Sequence, residues 1–401
     1  MITTKQKTEP SQAEFVIILS LMMSLTALAT DAMLPALPQI GADLQVQSAN
    51  NRQLVVSSLF LGLAIGQLFF GPLSDKTGRK PAIYGGLSVF VIGSLISVLS
   101  VSFPMMLVGR LLQGTGISSP RAVGLALVRD RYEGRAMARV MSFVMTVFIL
   151  VPMIAPTIGQ ALLLVTGWRS IFGFFVLLAF IALVWFGLRM PETLHPEDRA
   201  PFSIQRILSA MSVIIRIRPA LGFTVTAGLI SGAHLGYLNS AQQIFQEEYG
   251  LGELFPIIFA IIALAIGLAS LLNARLVMRF GMHFLVRWAL IAMLGTAVIA
   301  LVVSLTTGGQ PPLGFLMIYL MVTFFAVGIL FGNQNALAME PLGRIAGIGA
   351  AVVGSLSTFI SVPLGIIIGQ AYNGTVLPLV LGIAVMAGLS LIVLHWIESG
   401  S

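Results

Sequence analysis

The stretch Gly71-Pro-Leu-Ser-Asp75-Lys-Thr-Gly78-Arg79-Lys80 decides how this chain is read. Apolar residues flank it on both sides, each run long enough to cross a bilayer. A short turn holding Asp75, Lys76, Arg79 and Lys80 is too costly to sit in hydrocarbon. It therefore marks a membrane–water interface between two spans.

Composition leads to the same place. Of 401 residues, 57% are hydrophobic and only 9% are charged, against about 25% charged in soluble domains. A soluble protein of this size could not cover so much apolar surface. The chain has no Cys, which excludes disulfides and thiolate-held metals, and its 4 His make a metal site unexpected. No phosphate-cradling G-x-x-x-x-G-K-[ST] motif occurs, and no soluble stretch is large enough for an ATP-hydrolysing domain. No enzyme constellation is present and no cofactor is expected. The first apolar run, from about Phe15, lacks a small-residue cleavage site and reads as a span rather than a signal peptide.

Apolar runs of about 20 residues or more fall at 15–37, 53–74, 81–101, 104–127, 138–162 and 168–190. After a polar stretch they resume at 219–243, 255–278, 283–305, 313–338, 345–368 and 375–397. The expectation is an all-α membrane protein with twelve transmembrane helices. Most of the 22 Lys and Arg fall on the side of the N-terminus and the even-numbered loops, from Lys5 and Lys7 through Arg129 to Arg344. The opposite side has Arg52 and Arg169, while Arg110 and Arg121 lie inside the fourth span. Positive-inside orientation places both termini in the cytoplasm. The net charge of +7 is thereby explained without nucleic acid, since these bases are spread over short loops.

The polar stretch 191–218 divides the chain into a six-span half, 1–190, and a second, 219–401. Apolar residues at helical spacing between Phe202 and Ile217, with Arg206 and Arg216 among them, predict an amphipathic helix on the inner membrane surface. The second half carries a worn copy of the opening loop, Ala274-Arg-Leu-Val-Met-Arg-Phe-Gly281-Met-His283. Aligned on Gly78 and Gly281, Leu73 matches Leu276 and Lys76 matches Arg279, while Met278 replaces Asp75. Repeated halves are what alternating-access carriers are built from.

Candidate functional residues are the polar groups inside apolar runs. Asp31 lies in the first span, about seven residues from an outer end read at Pro38. It reads either as a group that loads and unloads a proton or as an interfacial cap ahead of Pro35 and Pro38. Arg110 lies at nearly the same depth in the fourth span, so the two can meet if those helices are neighbours. Such a pair serves proton coupling or static packing. Arg121, eleven residues on, shares a face with Arg110, Gln113 and Ile117. It reads as a binder of an electronegative substrate group, a vestibule residue, or a side chain reaching the inner interface. In the fifth span, Pro152, Ala155, Pro156 and Gly159 predict a kinked helix that packs closely. The second half offers His234, Tyr237, Asn239, Gln242 and Gln243, then Asn333, Gln334 and Asn335, with Glu340 beyond. A mostly apolar cavity with a few such groups suits amphipathic organic molecules.

Several of these stretches resemble the major facilitator superfamily. The opening loop is similar to its G-x-L-x-D-[KR]-x-G-R-[KR] pattern. Arg110-Leu-Leu-Gln113-Gly114-Thr-Gly116 is similar to R-x-x-Q-G-x-G of its fourth helix. Pro152 to Gly159 looks like a variant of the antiporter motif of its fifth. With Asp31-Ala-Met-Leu-Pro35-Ala-Leu-Pro38 and Val128-Arg129-Asp130, the whole chain resembles the twelve-helix drug–proton antiporters of the Bcr/CflA drug-resistance family. The resemblance implies two pseudo-symmetric six-helix bundles and a monomer in the lipid bilayer. It implies export of small amphipathic drugs, of chloramphenicol or bicyclomycin type, driven by proton entry. It also implies proton coupling at Asp31 with Arg110 in support, and a cytoplasmic latch of Asp75, Arg79, Lys80 and Arg129 reaching the N-terminus of helix 11 near Arg344. A proton-coupled exporter or importer of a sugar or other metabolite, and a non-transporting membrane sensor, are the alternatives.

Overall fold

The computed structural model describes residues 10–399, with Arg344 by its backbone only. Lys5 and Lys7, counted above among the inner bases, lie outside the described residues, as does the Arg344 side chain. The first half comprises α1 (Gln12–Asp31), α2 (Leu37–Asp43), α3 (Leu54–Thr77), α4 (Arg79–Val98), α5 (Phe103–Arg131), α6 (Gly134–Thr166) and α7 (Arg169–Arg189). The linker holds α8 (Ile204–Arg216). The second half comprises α9 (Arg218–Gln242), α10 (Phe255–Phe280), α11 (Met282–Thr306), α12 (Leu313–Met339), α13 (Ala346–Gln370) and α14 (Leu377–Glu398). Helices satisfy every backbone group internally, which hydrocarbon demands.

Among the described residues, eleven helical segments are long and apolar enough to cross a membrane. The twelfth expected span is α5. At 29 residues it is long enough, but Arg110, Arg121, Arg129, Asp130 and Arg131 lower its apolarity. The predicted limits hold to a few residues except in the first span. The helix there does not end at Pro38. It breaks after Asp31, makes a short 3-10 turn over Leu34–Ala36, and continues as α2 to Asp43. Pro38 stands in the first turn of α2, where a missing N–H costs nothing.

The halves repeat one packing scheme. In the first, α5 lies against α3 and α4, while α1 lies against α6 and α7. In the second, α12 lies against α10 and α11, while α9 lies against α13 and α14. The halves meet where α3 touches α13 and α6 touches α10, a pair of contacts related by the same pseudo-symmetry. The two copies of the loop also fold alike. Gly78 (φ 105°, ψ 160°) and Gly281 (φ 79°, ψ 159°) each turn one helix directly into the next in a conformation that other residues resist.

The helix-4 glycines are packing residues. A Cβ on Gly114 would stand 1.9 Å from the Leu59 carbonyl oxygen of α3, and one on Gly116 2.3 Å from the Phe90 nitrogen of α4. α8 buries Ile207, Ala210 and Ile214 and exposes Ile204, Leu208 and Ile215, with Ser203 capping its first turn. Its exposed apolar edge beside Arg206 and Arg216 fits a helix at a membrane surface.

Candidate functional site

Asp31 is the last residue of α1 and is 6% exposed. With α2 continuing outward, it lies about 18 Å of helix from Asp43. The span's first helix ends at Asp31, as the cap reading expects, but the residue is buried and the chain continues outward through α2. The α6 motif holds it there. A Cβ on Gly159 would come 1.6 Å from the carbonyl oxygen of Ala32, so only glycine lets α6 lie against the break. Gly159→Ala must push α6 off α1. A loss of roughly 3 kcal/mol, the upper range for overpacking, is expected. It should appear as a lower unfolding temperature in detergent, and an unchanged temperature would contradict the close approach.

Arg110 is fully buried at the depth of Asp31, as its position in α5 predicted, but the two do not form an ion pair. The guanidinium donates from Nε to the Val55 carbonyl (3.0 Å), from Nη2 to the Ala29 carbonyl (2.8 Å), and from Nη1 to Gln113 Oε1 (2.7 Å). Ala29 sits in the last turn of α1, where carbonyls lack an onward helical partner. Arg110 supplies that donor and ties the broken helix to α3. Phe172 lies under its guanidinium carbon at 5.7 Å. Gln113 also donates to Ser94 (2.8 Å), so both its polar functions are committed to protein, and Ile117 is fully buried. Neither lines an open cavity in this conformation.

The carboxylate of Asp31 has no hydrogen bond or cation among the described residues. It lies within electrostatic reach of the Tyr237 phenol on α9. Tyr237 stacks on Phe259 (5.9 Å) and leans on Phe324 (4.6 Å), and His234 stands edge-on to Phe324 and Phe331. The Tyr237 hydroxyl and His234 Nδ1 are buried with no partner among the described residues. A phenol and an imidazole, both uncommitted, thus stand on an aromatic wall of the second half, with the Asp31 acid in reach of the phenol.

Asn239, expected in the cavity, belongs to a seam that closes the outer end. It donates to Ser57 (3.0 Å) and to the Gly365 carbonyl (2.9 Å). Further out, Gln53 donates to Gln243, Gln243 donates to Asn50, and Asn50 donates to the carbonyls of Gln370 and Tyr372. Arg52 pairs with Glu247 at 3.0 Å. Gln243 and Glu247 lie on a π-helical turn that ends α9. Burial, then Glu248 and Glu247 nearby, push the Tyr372 phenol up to about 12. It therefore stays neutral across physiological pH. The two outer arginines that broke the positive-inside pattern both face acids, Arg52 on Glu247 and Arg169 on Asp43 at 3.5 Å.

The inner end is open. On α5 the stripe Arg110, Gln113, Ile117 is buried, and its continuation, Arg121 and Leu125, is exposed. On α12 Phe324 and Gly328 are buried while Gly332 and Asn335 are exposed. A lipid-facing side is exposed along its whole length, as on α11 from Phe284 through Ile291 and Val298 to Leu305. Burial outside with exposure inside marks a vestibule.

The cytoplasmic loop forms a cluster within the first half. Arg79 pairs with Asp75 and with Asp130 (2.9 Å), and Lys80 Nζ donates to the Gly187 and Met190 carbonyls at the end of α7. Glu192 accepts from the backbone N–H groups of Arg79 (2.8 Å) and Lys80 (3.0 Å), capping α4. Arg129, expected in this cluster, is exposed and makes no such contact among the described residues; its neighbour Asp130 fills the place. No ion pair among the described residues joins Asp75 to the second half.

Residues 19–365 match the family described as Major Facilitator Superfamily. The chain belongs to that superfamily. It is 33% identical over 343 residues, 84% of each chain, to an uncharacterized MFS-type transporter, YdgK, of Bacillus subtilis. It is 26% identical over 389 residues, 96% of each chain, to a bicyclomycin resistance protein homolog of Haemophilus influenzae. It is 27% identical over 372 residues, 87% of this chain and 84% of the other, to a chloramphenicol resistance protein of Pseudomonas aeruginosa. The fold matches the xylose transporter XylE of E. coli in a partially occluded inward open conformation (TM-score 0.72, 13% identity, 95% of this chain and 96% of that one). It also matches the human organic anion transporter MFSD10 (TM-score 0.71, 18% identity, 97% and 100%). This is a multi-pass membrane protein of a transporter family, with two pseudo-symmetric six-helix bundles.

Proposed function

We propose that the protein is a proton-coupled antiporter of the bacterial inner membrane. In this reading it exports small amphipathic molecules of chloramphenicol or bicyclomycin type by alternating access, with both termini cytoplasmic. The observation that carries the proposal is Asp31: buried, without cation or hydrogen bond among the described residues, at a helix break. A buried carboxylate left ionised and unpaired is very costly. The inward-open conformation therefore suits Asp31 in its neutral form, and release of that proton accompanies substrate loading. The aromatic wall takes the apolar body of the substrate, while Tyr237 and His234 supply hydrogen bonds. Two relatives, one named a bicyclomycin resistance protein homolog and one a chloramphenicol resistance protein, support the substrate class.

The test is flux in inside-out proteoliposomes. With an acidic lumen, chloramphenicol is expected to accumulate, and nigericin to abolish accumulation. Drug flux indifferent to the proton gradient would sink the proposal.

The outer seam serves as the gate. The chain has no Cys, so Asn50→Cys with Gln370→Cys reports on the seam without background. The pair is expected to crosslink readily and to stop transport until reduced. Transport at the wild-type rate while crosslinked would show that the seam is no gate.

A further inference from the structure

The inner vestibule carries a cation that the proposed coupling chemistry does not use. Arg121 is exposed, and among the described residues it has neither hydrogen bond nor ion pair. It stands ten residues before the inner end of α5, roughly 15 Å from it. Its face points into the bundle rather than to lipid. Arg110 on that stripe reaches α1 and α3, and Gly124, one turn beyond Arg121, packs against Leu19 and Met23 of α1. The Ser20 hydroxyl of α1 is buried without a partner among the described residues, and Asn335 is exposed on the matching stripe of α12. The acids of the inner face are elsewhere. Asp130 is held by Arg79 and Thr193, Asp75 by Arg79, and Glu340 lies past the end of α12. An uncompensated guanidinium thus stands in a watery cleft with apolar walls, where its field is concentrated.

We propose that Arg121 makes the vestibule hold amphiphiles bearing an anionic group, a carboxylate above all, on an aromatic or apolar body more tightly than the neutral molecules it also admits. The guanidinium presents paired donors that match a carboxylate. Arg121 is separated from Arg110 by eleven residues, roughly 16 Å of helix. The anionic head is therefore held well inward of Asp31, and the body extends toward the aromatic wall. Recognition of the anion and handling of the proton are then done by separate groups. The inference rests on the reading of this vestibule as the substrate path.

The experiment is equilibrium dialysis of the full chain in nanodiscs against three probes of similar shape: 2-naphthoate, its methyl ester, and trimethyl(2-naphthyl)ammonium. Naphthoate is expected to bind at least about tenfold more tightly than the other two, a preference that added salt weakens. Arg121→Gln is expected to bring naphthoate to the level of the ester while leaving the ester unchanged. Arg121→Lys should retain part of the preference. Because Arg121 holds no partner among the described residues, neither substitution removes a contact seen in the fold. Equal binding of naphthoate and ester by the wild type, or a preference that survives Arg121→Gln, overturns this inference and leaves the antiport proposal standing. No binding of any probe by the wild type overturns both this inference and the vestibule as a substrate path.

Discussion

Asp31→Asn is expected to abolish substrate-driven proton release and to reduce coupled transport to background, while leaving the fold and substrate binding intact. The amide has the shape of a protonated carboxyl, and the wild-type carboxylate makes no hydrogen bond or ion pair among the described residues that the substitution would break. The cost to folding should be small, since the substitution keeps the side chain's size and breaks no described contact. What disappears is the titration. A neutral group at position 31 holds the inward-open balance that the wild type reaches only when protonated, so the variant loads substrate and fails to exchange it for a proton. Proton release on adding chloramphenicol to detergent-solubilised protein, read beside the unfolding temperature, separates these effects. Release that persists in Asp31→Asn would move the proton site elsewhere, and His234 would be next in line. Asp31→Glu keeps the chemistry but shifts the carboxyl outward from the helix break, so it should release protons while transporting more slowly.

Much of the architecture was legible because hydrocarbon leaves the chain few choices. Apolar runs of spanning length, the charged turn at Gly78 and its worn copy at Gly281 each follow from the cost of polar backbone and charge in lipid. Asp31 and Arg110 stood out for the same reason, Asp31 as the lone charge of its apolar run and Arg110 as one of two in its own. The break after Asp31 was not legible. Pro35 and Pro38 look like the end of a span, and nothing local shows that Pro38 starts a further turn of helix. Glu192 as the cap of α4 left only a faint trace, an acid just after the last residues of the sixth span.

The outer seam was hidden for a different reason. Its amides come from segments far apart in sequence: Gln53 and Gln243 are 190 residues apart, Asn50 and Gln370 are 320. Each half alone shows an ordinary polar residue near a helix end. Only the docking of the two halves reveals that Asn239, which reads as a cavity amide, is tied to Ser57 and Gly365. A signal was nevertheless present in Arg52 and Arg169, the two bases on the wrong side of the membrane. A base that violates the positive-inside bias needs a local acid, and both have one.

Arg110 carries the second large effect, and its substitutions decide between two roles. If it acts as a counter-charge for Asp31, Arg110→Lys should preserve function, since lysine keeps the charge. The geometry gives it another role. Its fork serves the carbonyls of Ala29 and Val55 and the Gln113 amide at once, and a single ammonium cannot reach all three. Arg110→Lys is therefore expected to lose transport nearly as completely as Arg110→Ala. The alanine variant leaves these acceptors buried without donors and should cost roughly 3 kcal/mol or more of stability. Stability and proton release should fall together, because the staple that holds the break in α1 also sets the position of Asp31. The double variant Asp31→Asn with Arg110→Ala sharpens the test. For a counter-charge, removing Asp31 should erase most of the stability cost of Arg110→Ala, since no pair remains to be broken. For a staple, the cost should persist in full, because Ala29 and Val55 still lack their donors. Unfolding temperatures of the four proteins in detergent read the difference directly, and a cost that vanishes in the Asp31→Asn background would return Arg110 to the role of counter-charge.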